Sequence, residues 1–212
     1  MRLGILGPAN RDLPALARAA QLLLDEVQVD QIIYLSDDGA LDLVAKAWAY
    51  RLVDANPSED LLYARAAVRC ARATPEAIDA YVAAERARSR LRALTSIPSR
   101  QLRSIELVDG RVAVFVYDKG ILDQDDIAAA SLLVFGRSQE PTMKRIGSRM
   151  FVSPGPIGAP GGGMAVLEEA PSGGVRVEIR NASGAVTAED MLGGGPSLPG
   201  VKMRVQDGKS NG

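Results

Sequence analysis

Two short apolar runs, Arg2 to Leu6 and Gln31 to Leu35, enclose a segment whose apolar residues recur at helical spacing: Leu13, Leu16, Ala19, Ala20, Leu23 and Leu24. Strand, helix and strand in that order leave little choice of topology. The strands run parallel, joined by a right-handed crossover whose helix covers one face of the sheet. Asp12 stands where that helix needs an N-cap. A second helix is expected from Ala40 to about Arg51, so the start of the chain already reads as α/β.

The middle of the chain breaks this alternation. Ser58 to Arg72 reads as helical. Thr74-Pro75-Glu76 then supplies an N-cap, a proline in the first turn and an acid beside it, for a helix reaching about Leu94. Residues 58–94 are therefore expected to form an inserted helical pair. Strands resume at Arg103 to Val108 and Val112 to Tyr117, around the hairpin dipeptide Asp109-Gly110. A short helix near Asp125 to Ala130 precedes a strand at Leu132 to Phe135. Arg149 to Val152, Met164 to Glu168 and Val175 to Ile179 are further strands. The expectation is one domain over 1–190 and a Gly-rich flexible tail over 191–212.

The chain of 212 residues contains no histidine and one cysteine, Cys70. Thiolate–imidazole pairs, Ser-His-Asp triads and His- or Cys-based zinc sites are excluded, as is a disulfide framework. A reducing, cytoplasmic setting is expected. No secretory signal is read at the N-terminus, and no run approaches the ~18 apolar residues of a membrane span. A net charge of -1 speaks against broad capture of nucleic acid or anionic membrane.

The loops after the strands Leu3–Leu6, Gln31–Leu35, Val112–Tyr117 and Leu132–Phe135 lie where open α/β sheets carry their sites. They hold Asn10, Asp37, Asp38, Asp118, Arg137 and Gln139. Asp38 also suits capping of the helix from Ala40.

These loops resemble the motifs of the calcineurin-like metallophosphoesterases, in their small bacterial, Vps29-like subgroup. Pro8-Ala9-Asn10-Arg11-Asp12 stands for the family's Asp-x-His-Gly-Asn. Gln31-Ile-Ile-Tyr-Leu-Ser-Asp37 stands for its strand ending in Gly-Asp. Tyr117-Asp118 stands for a His-Gly pair, and Gly136-Arg137-Ser138-Gln139 for Gly-His-Thr-His. Ser153-Pro154-Gly155-Pro156 stands for its Asn-Pro-Gly-Ser. The resemblance covers about residues 1–60 and 100–180 and implies an α/β calcineurin-like phosphoesterase sandwich. It implies two metals bridged by the Asp at Asp37. Pro8, Asn10, Tyr117, Arg137 and Gln139 occupy other ligand positions, so the site is expected to be vestigial, with no metal, no cofactor and no catalytic residue.

The expected function is a catalytically inactive protein-interaction, scaffolding or regulatory module whose partner is a protein or a second copy. Arg86, Arg90 and Arg92 are expected at its contact surface. Arg137 is expected to bond Asp37 or Asp118. Two alternatives stay open. One is a metal-independent phosphate or nucleotide-binding protein, or a diverged phosphoesterase. The other is nucleic-acid binding through the Arg-rich helix, against which stands the absence of aromatic residues there.

Overall fold

β1 (Arg2–Leu6) and β2 (Gln31–Tyr34) pair in parallel, Leu3 opposite Gln31 and Leu6 opposite Tyr34, with α1 (Leu13–Asp25) as the crossover. The computed structural model describes residues 1–52, 61–97 and 103–193. After α2 (Ala40–Leu52), α3 (Leu62–Cys70) and α4 (Pro75–Arg90), the chain forms β3 (Leu94–Ser96). There follow β4 (Ser104–Val108), β5 (Arg111–Val116), α5 (Gln124–Ala129), β6 (Leu132–Phe135), β7 (Thr142–Ile146) and β8 (Arg149–Ser153). β9 (Met164–Glu169), β10 (Val175–Arg180) and β11 (Val186–Leu192) end the described chain.

The strands form a six-stranded sheet, β11-β10-β9-β1-β2-β3, and a five-stranded sheet, β4-β5-β6-β8-β7. Leu3, Ile5, Leu167 and Val177 of the first pack against Phe115, Val134, Met150 and Val152 of the second. The fold is an α/β sandwich whose main core lies between the sheets. α1 and α2 cover the outer face of the larger sheet through Leu16, Leu23, Leu41 and Val44. Leu122 and Ala130, which flank α5, pack on the outer face of the smaller one with Val114 and Leu133. Asp12 caps α1 as expected, its Oδ1 accepting from Ala15 N at 2.9 Å. Asp109 and Gly110 both adopt positive φ, which the tight β4–β5 turn requires.

Three strands depart from the sequence reading. β3 follows directly on the helical pair and pairs in parallel with β2. The helices therefore sit inside the β2–β3 crossover, and the second ends as an α-helix at Arg90, followed by a 3₁₀ turn. β7 forms a hairpin with β8, and β11 pairs with β10 at the sheet edge. Met191 and Leu192, the first two residues of the expected tail, belong to β11. Residues 58–60 of the expected insertion and 194–212 of the expected tail lie outside the described residues. Among the described residues, no helix is long and apolar enough to cross a membrane.

Candidate functional site

The loops at the C-terminal ends of β1, β2, β5, β6 and β8 meet at one end of the sandwich. Gly7 N donates to Gly163 O at 3.0 Å, and Ile157 N donates to Pro8 O at 2.9 Å, tying the loop after β1 to the loop after β8. A Cβ on Gly7 would fall 1.8 Å from Gly155 O. A Cβ on Gly136 would fall 2.1 Å from Leu35 O, so the loop after β6 lies directly on the end of β2. These contacts need glycine because two backbones touch.

Tyr34 joins two of the loops. It is fully buried at the end of β2; its hydroxyl accepts from Ala9 N at 3.0 Å and donates to Asp38 Oδ2 at 3.1 Å. Asp38 Oδ1 accepts from Ala40 N at 3.0 Å, the expected cap of α2. Burial, with Asp38 nearby, pushes the Tyr34 hydroxyl up to about 12. It therefore stays protonated and acts as a fixed pin between the loops. The sequence reading passed over Tyr34, although a lone hydroxyl in a buried apolar strand must find partners.

The expected site residues are spread unevenly over this end. Pro8 is buried, while Asn10 is exposed and has φ 50°. Asp37 is half-buried and Gln139 exposed. Tyr117 is half-buried against the core between the sheets. Arg137 Nη1 donates to Asp118 Oδ2, the second of its two expected partners. A hydrogen bond from Gly120 N and then the Arg137 guanidinium hold the Asp118 carboxyl below its usual range. This pair is not sheltered in a cleft: the Arg137 side chain is 68% exposed. The backbone of the same residue is tied to the loop after β5, Arg137 N donating to Tyr117 O at 2.6 Å. Among the described residues, no three His, Cys, Asp or Glu side chains gather closely enough to hold a metal ion.

The helical pair holds a second cluster. Glu85 on α4 is 8% exposed. Its carboxylate accepts from Arg65 Nε of α3 at 3.1 Å and from Arg88 Nε at 2.7 Å. Burial raises the Glu85 pKa, and the two guanidinium groups outweigh it, so the carboxyl sits below its ordinary value. Glu85 and Arg88 are the buried residues of α4, and α3 has none. Charge faces inward, while Tyr63 is 85% and Val68 82% exposed and Leu61 is exposed as well.

Arg86, Arg90 and Arg92, the expected contact arginines, are all exposed, and some of the basic run has partners within the chain. Arg88 is bound to Glu85. Arg90 Nη2 donates to Leu24 O at 2.5 Å and lies 3.7 Å from Asp25, so it fastens α4 to α1. Arg103 is bound to Asp126. Arg86 and Arg92 remain on the exposed side, Arg92 with a partner of its own. Within the basic run only Arg88 is buried among the described residues, while Arg90 and Arg103 are partly exposed and paired.

No protein-family model matches the chain, and no curated protein matches it. The chain is similar in fold to solved phosphoesterase-like structures. One is a conserved uncharacterized protein, a predicted phosphoesterase, from Streptococcus pneumoniae: 11% identity, 90% of this chain, 98% of that one, TM-score 0.48. A novel archaeal phosphodiesterase is 12% identical, over 91% of this chain and 100% of that one, with TM-score 0.46. Vps29 of Entamoeba histolytica, solved with zinc, is 12% identical over 91% and 100%, with TM-score 0.49.

Proposed function

We propose that this chain is a catalytically inactive phosphoesterase-like protein that works as a protein-interaction module, with the helical pair as its contact surface. The observation that carries this reading is the reversal of α3. A helix that places Arg65 inward and Tyr63, Val68 and Leu61 outward gains little from its own fold. Burying such side chains would contribute about 1.5–3 kcal/mol each, and on a free monomer that contribution goes unused. Leu61, Tyr63 and Val68, all exposed within one short helical segment, offer apolar surface to a partner.

The inactive half of the reading rests on side-chain chemistry. Two-metal hydrolysis needs several ligands converging on adjacent cations. The chain has no histidine, and Pro8, Tyr117, Arg137 and Gln139 stand where the resemblance places ligands. Arg137, a permanent cation, answers Asp118 in that region.

The test has two arms. The purified protein is expected to carry no stoichiometric zinc, manganese or iron and to leave bis(p-nitrophenyl) phosphate intact. Manganese-dependent hydrolysis that is lost in Asp37→Ala would overturn the inactive reading. A Tyr63→Glu/Val68→Glu double variant is expected to fold normally and to lose a stoichiometric partner that the wild type retains in affinity purification from native cells. Unchanged partners would overturn the contact surface.

A further inference from the structure

A pocket of about 370 Å³ lies where the C-terminal ends of α1, α2 and α4 converge. α1 begins at the loop after β1 and runs away from it. Thirteen residues of helix therefore put the pocket about 20 Å from the loop cluster at the strand ends. It is separate from the region that the phosphoesterase resemblance concerns, and it is separate from the exposed face of α3.

The lining is apolar below and charged at the rim. Leu24, Trp48, Leu52 and Leu91 supply the apolar surface, and Ala87 leaves the space between α4 and the other two helices open. Trp48 and Leu91 are half-buried members of the core under α1 and α2, so they are held in place. At the rim, Arg90 and Asp25 lie 3.7 Å apart, and Arg90 also donates to Leu24 O. Their charges balance. Arg51 is the third charged residue of the lining. Among the described residues, it has no ion-pair or hydrogen-bond partner. Its position in the last turn of α2 suits the helix dipole, yet that leaves the guanidinium donors themselves unused.

An apolar pocket of this size, with a guanidinium at its mouth that no described residue pairs with, has the makings of a ligand site. We propose that it binds a small amphipathic carboxylate, an aliphatic or aromatic acid with one anionic head. The apolar body lies against Trp48 and Leu91. The carboxylate accepts two parallel hydrogen bonds from the Arg51 fork. A neutral molecule would gain nothing from the exposed Arg51, and a cation would be repelled by it.

Trp48 is the chain's single tryptophan, so its emission reports this pocket alone. The full chain is titrated with octanoate, 1-octanol and octylammonium, each below its aggregation limit. Octanoate is expected to give a saturable blue shift, with octanol and octylammonium weaker by about tenfold or more, the scale of one charge-assisted contact. Arg51→Gln, a surface change, is expected to weaken octanoate to the level of octanol while leaving octanol unchanged. Ala87→Leu fills the cavity and is expected to abolish the response to all three probes. Circular dichroism checks that the helices persist; if Ala87→Leu does not fold, the Arg51→Gln comparison decides. The absence of a saturable shift would overturn the proposal. So would octanol or octylammonium binding as tightly as octanoate, an octanoate preference that survives Arg51→Gln, or a response that persists in folded Ala87→Leu.

Discussion

Arg65 of α3 donates from Nε to Oε1 of Glu85 on α4 at 3.1 Å, and with Arg88 it closes the helical pair on an ionic rather than an apolar interior. Such a pair contributes little by its presence, because desolvation offsets the attraction. It costs much when one buried member is removed from the others. Glu85→Ala takes from Arg65 and Arg88 the carboxylate that both bind. The expected loss is about 3 kcal/mol, concentrated in α3. Hydrogen exchange should show residues 62–90 losing protection while β1, β6 and β9 keep theirs. Uniform loss across the chain would mean that the pair is not a separate unit.

The same cluster sets an acid limit. The folded Glu85 carboxyl lies below its ordinary value of about 4.3. Its contribution is therefore fully present above that value and is lost as pH falls through the lower, folded one. Helical content of α3 and α4 is expected to fall on acidification below about pH 4, before the sheets unfold. Circular dichroism at stepped pH, compared with Glu85→Gln, checks this: the variant should lose the acid step.

Tyr34 ties the loop after β1 to the loop after β2. Tyr34→Phe keeps the ring but leaves the buried Ala9 N–H without its acceptor. The expected cost is about 1–3 kcal/mol, read as a lower denaturation midpoint. The pH dependence runs the other way from that of Glu85. Burial raises the Tyr34 pKa to about 12, so its contribution is complete below about 10 and is lost as pH rises from there towards about 12. Tyr34→Phe should flatten that alkaline decline. An equally steep decline in the variant would show that another group causes it.

The parallel β1–α1–β2 unit was legible because both strands are continuous apolar runs and the helix between them has one apolar face. The Asp109-Gly110 hairpin was legible because its turn needs left-handed backbone. β3 was not, since Leu94 to Ser96 is three residues long and abuts a helix with no turn residue between them. β11 carries Glu189 and Asp190 and reads as polar surface; edge strands tolerate such charges, which also discourage pairing with other chains. In the site, Asp38 as a cap followed from a local rule, whereas the placement of the loops left Asp37 and Asp118 both open as the partner of Arg137. The burial of Arg88 and the turn of Arg90 towards α1 did not. Both depend on how α4 packs, and a run of arginines looks the same in sequence whether it faces water or carbonyl groups.

Arg137 and Asp118 offer a contrast with the cluster on α3 and α4. The contact is close, but the guanidinium is mostly in water, where ion pairs add little to stability. Arg137→Ala is expected to leave the thermal midpoint unchanged within error. High salt should have no more effect on the wild type than on the variant. A clear loss of stability would mean that Arg137 reaches a buried group in solution.

Arg11 carries strain that can be released. Asn10 and Arg11 adopt successive positive φ values of 50° and 72° in the loop before α1. Asp12 N donates to Ala9 O at 2.9 Å and Leu13 N donates to Arg11 O at 3.0 Å, so the turn is held from both sides. Asn tolerates this region through its short polar side chain, whereas a long side chain pays about 1–2 kcal/mol for it. Glycine removes the clash but adds freedom to the unfolded chain, worth about 0.4–1 kcal/mol in the opposite direction. Arg11→Gly is therefore expected to stabilise the protein by about 0.5–1 kcal/mol net. Arg11→Ala keeps the Cβ and loses only the exposed guanidinium, so it should give no gain. Urea denaturation of the three proteins separates the causes. If alanine stabilises as much as glycine, the benefit comes from removing charge, and the backbone at Arg11 is not the source.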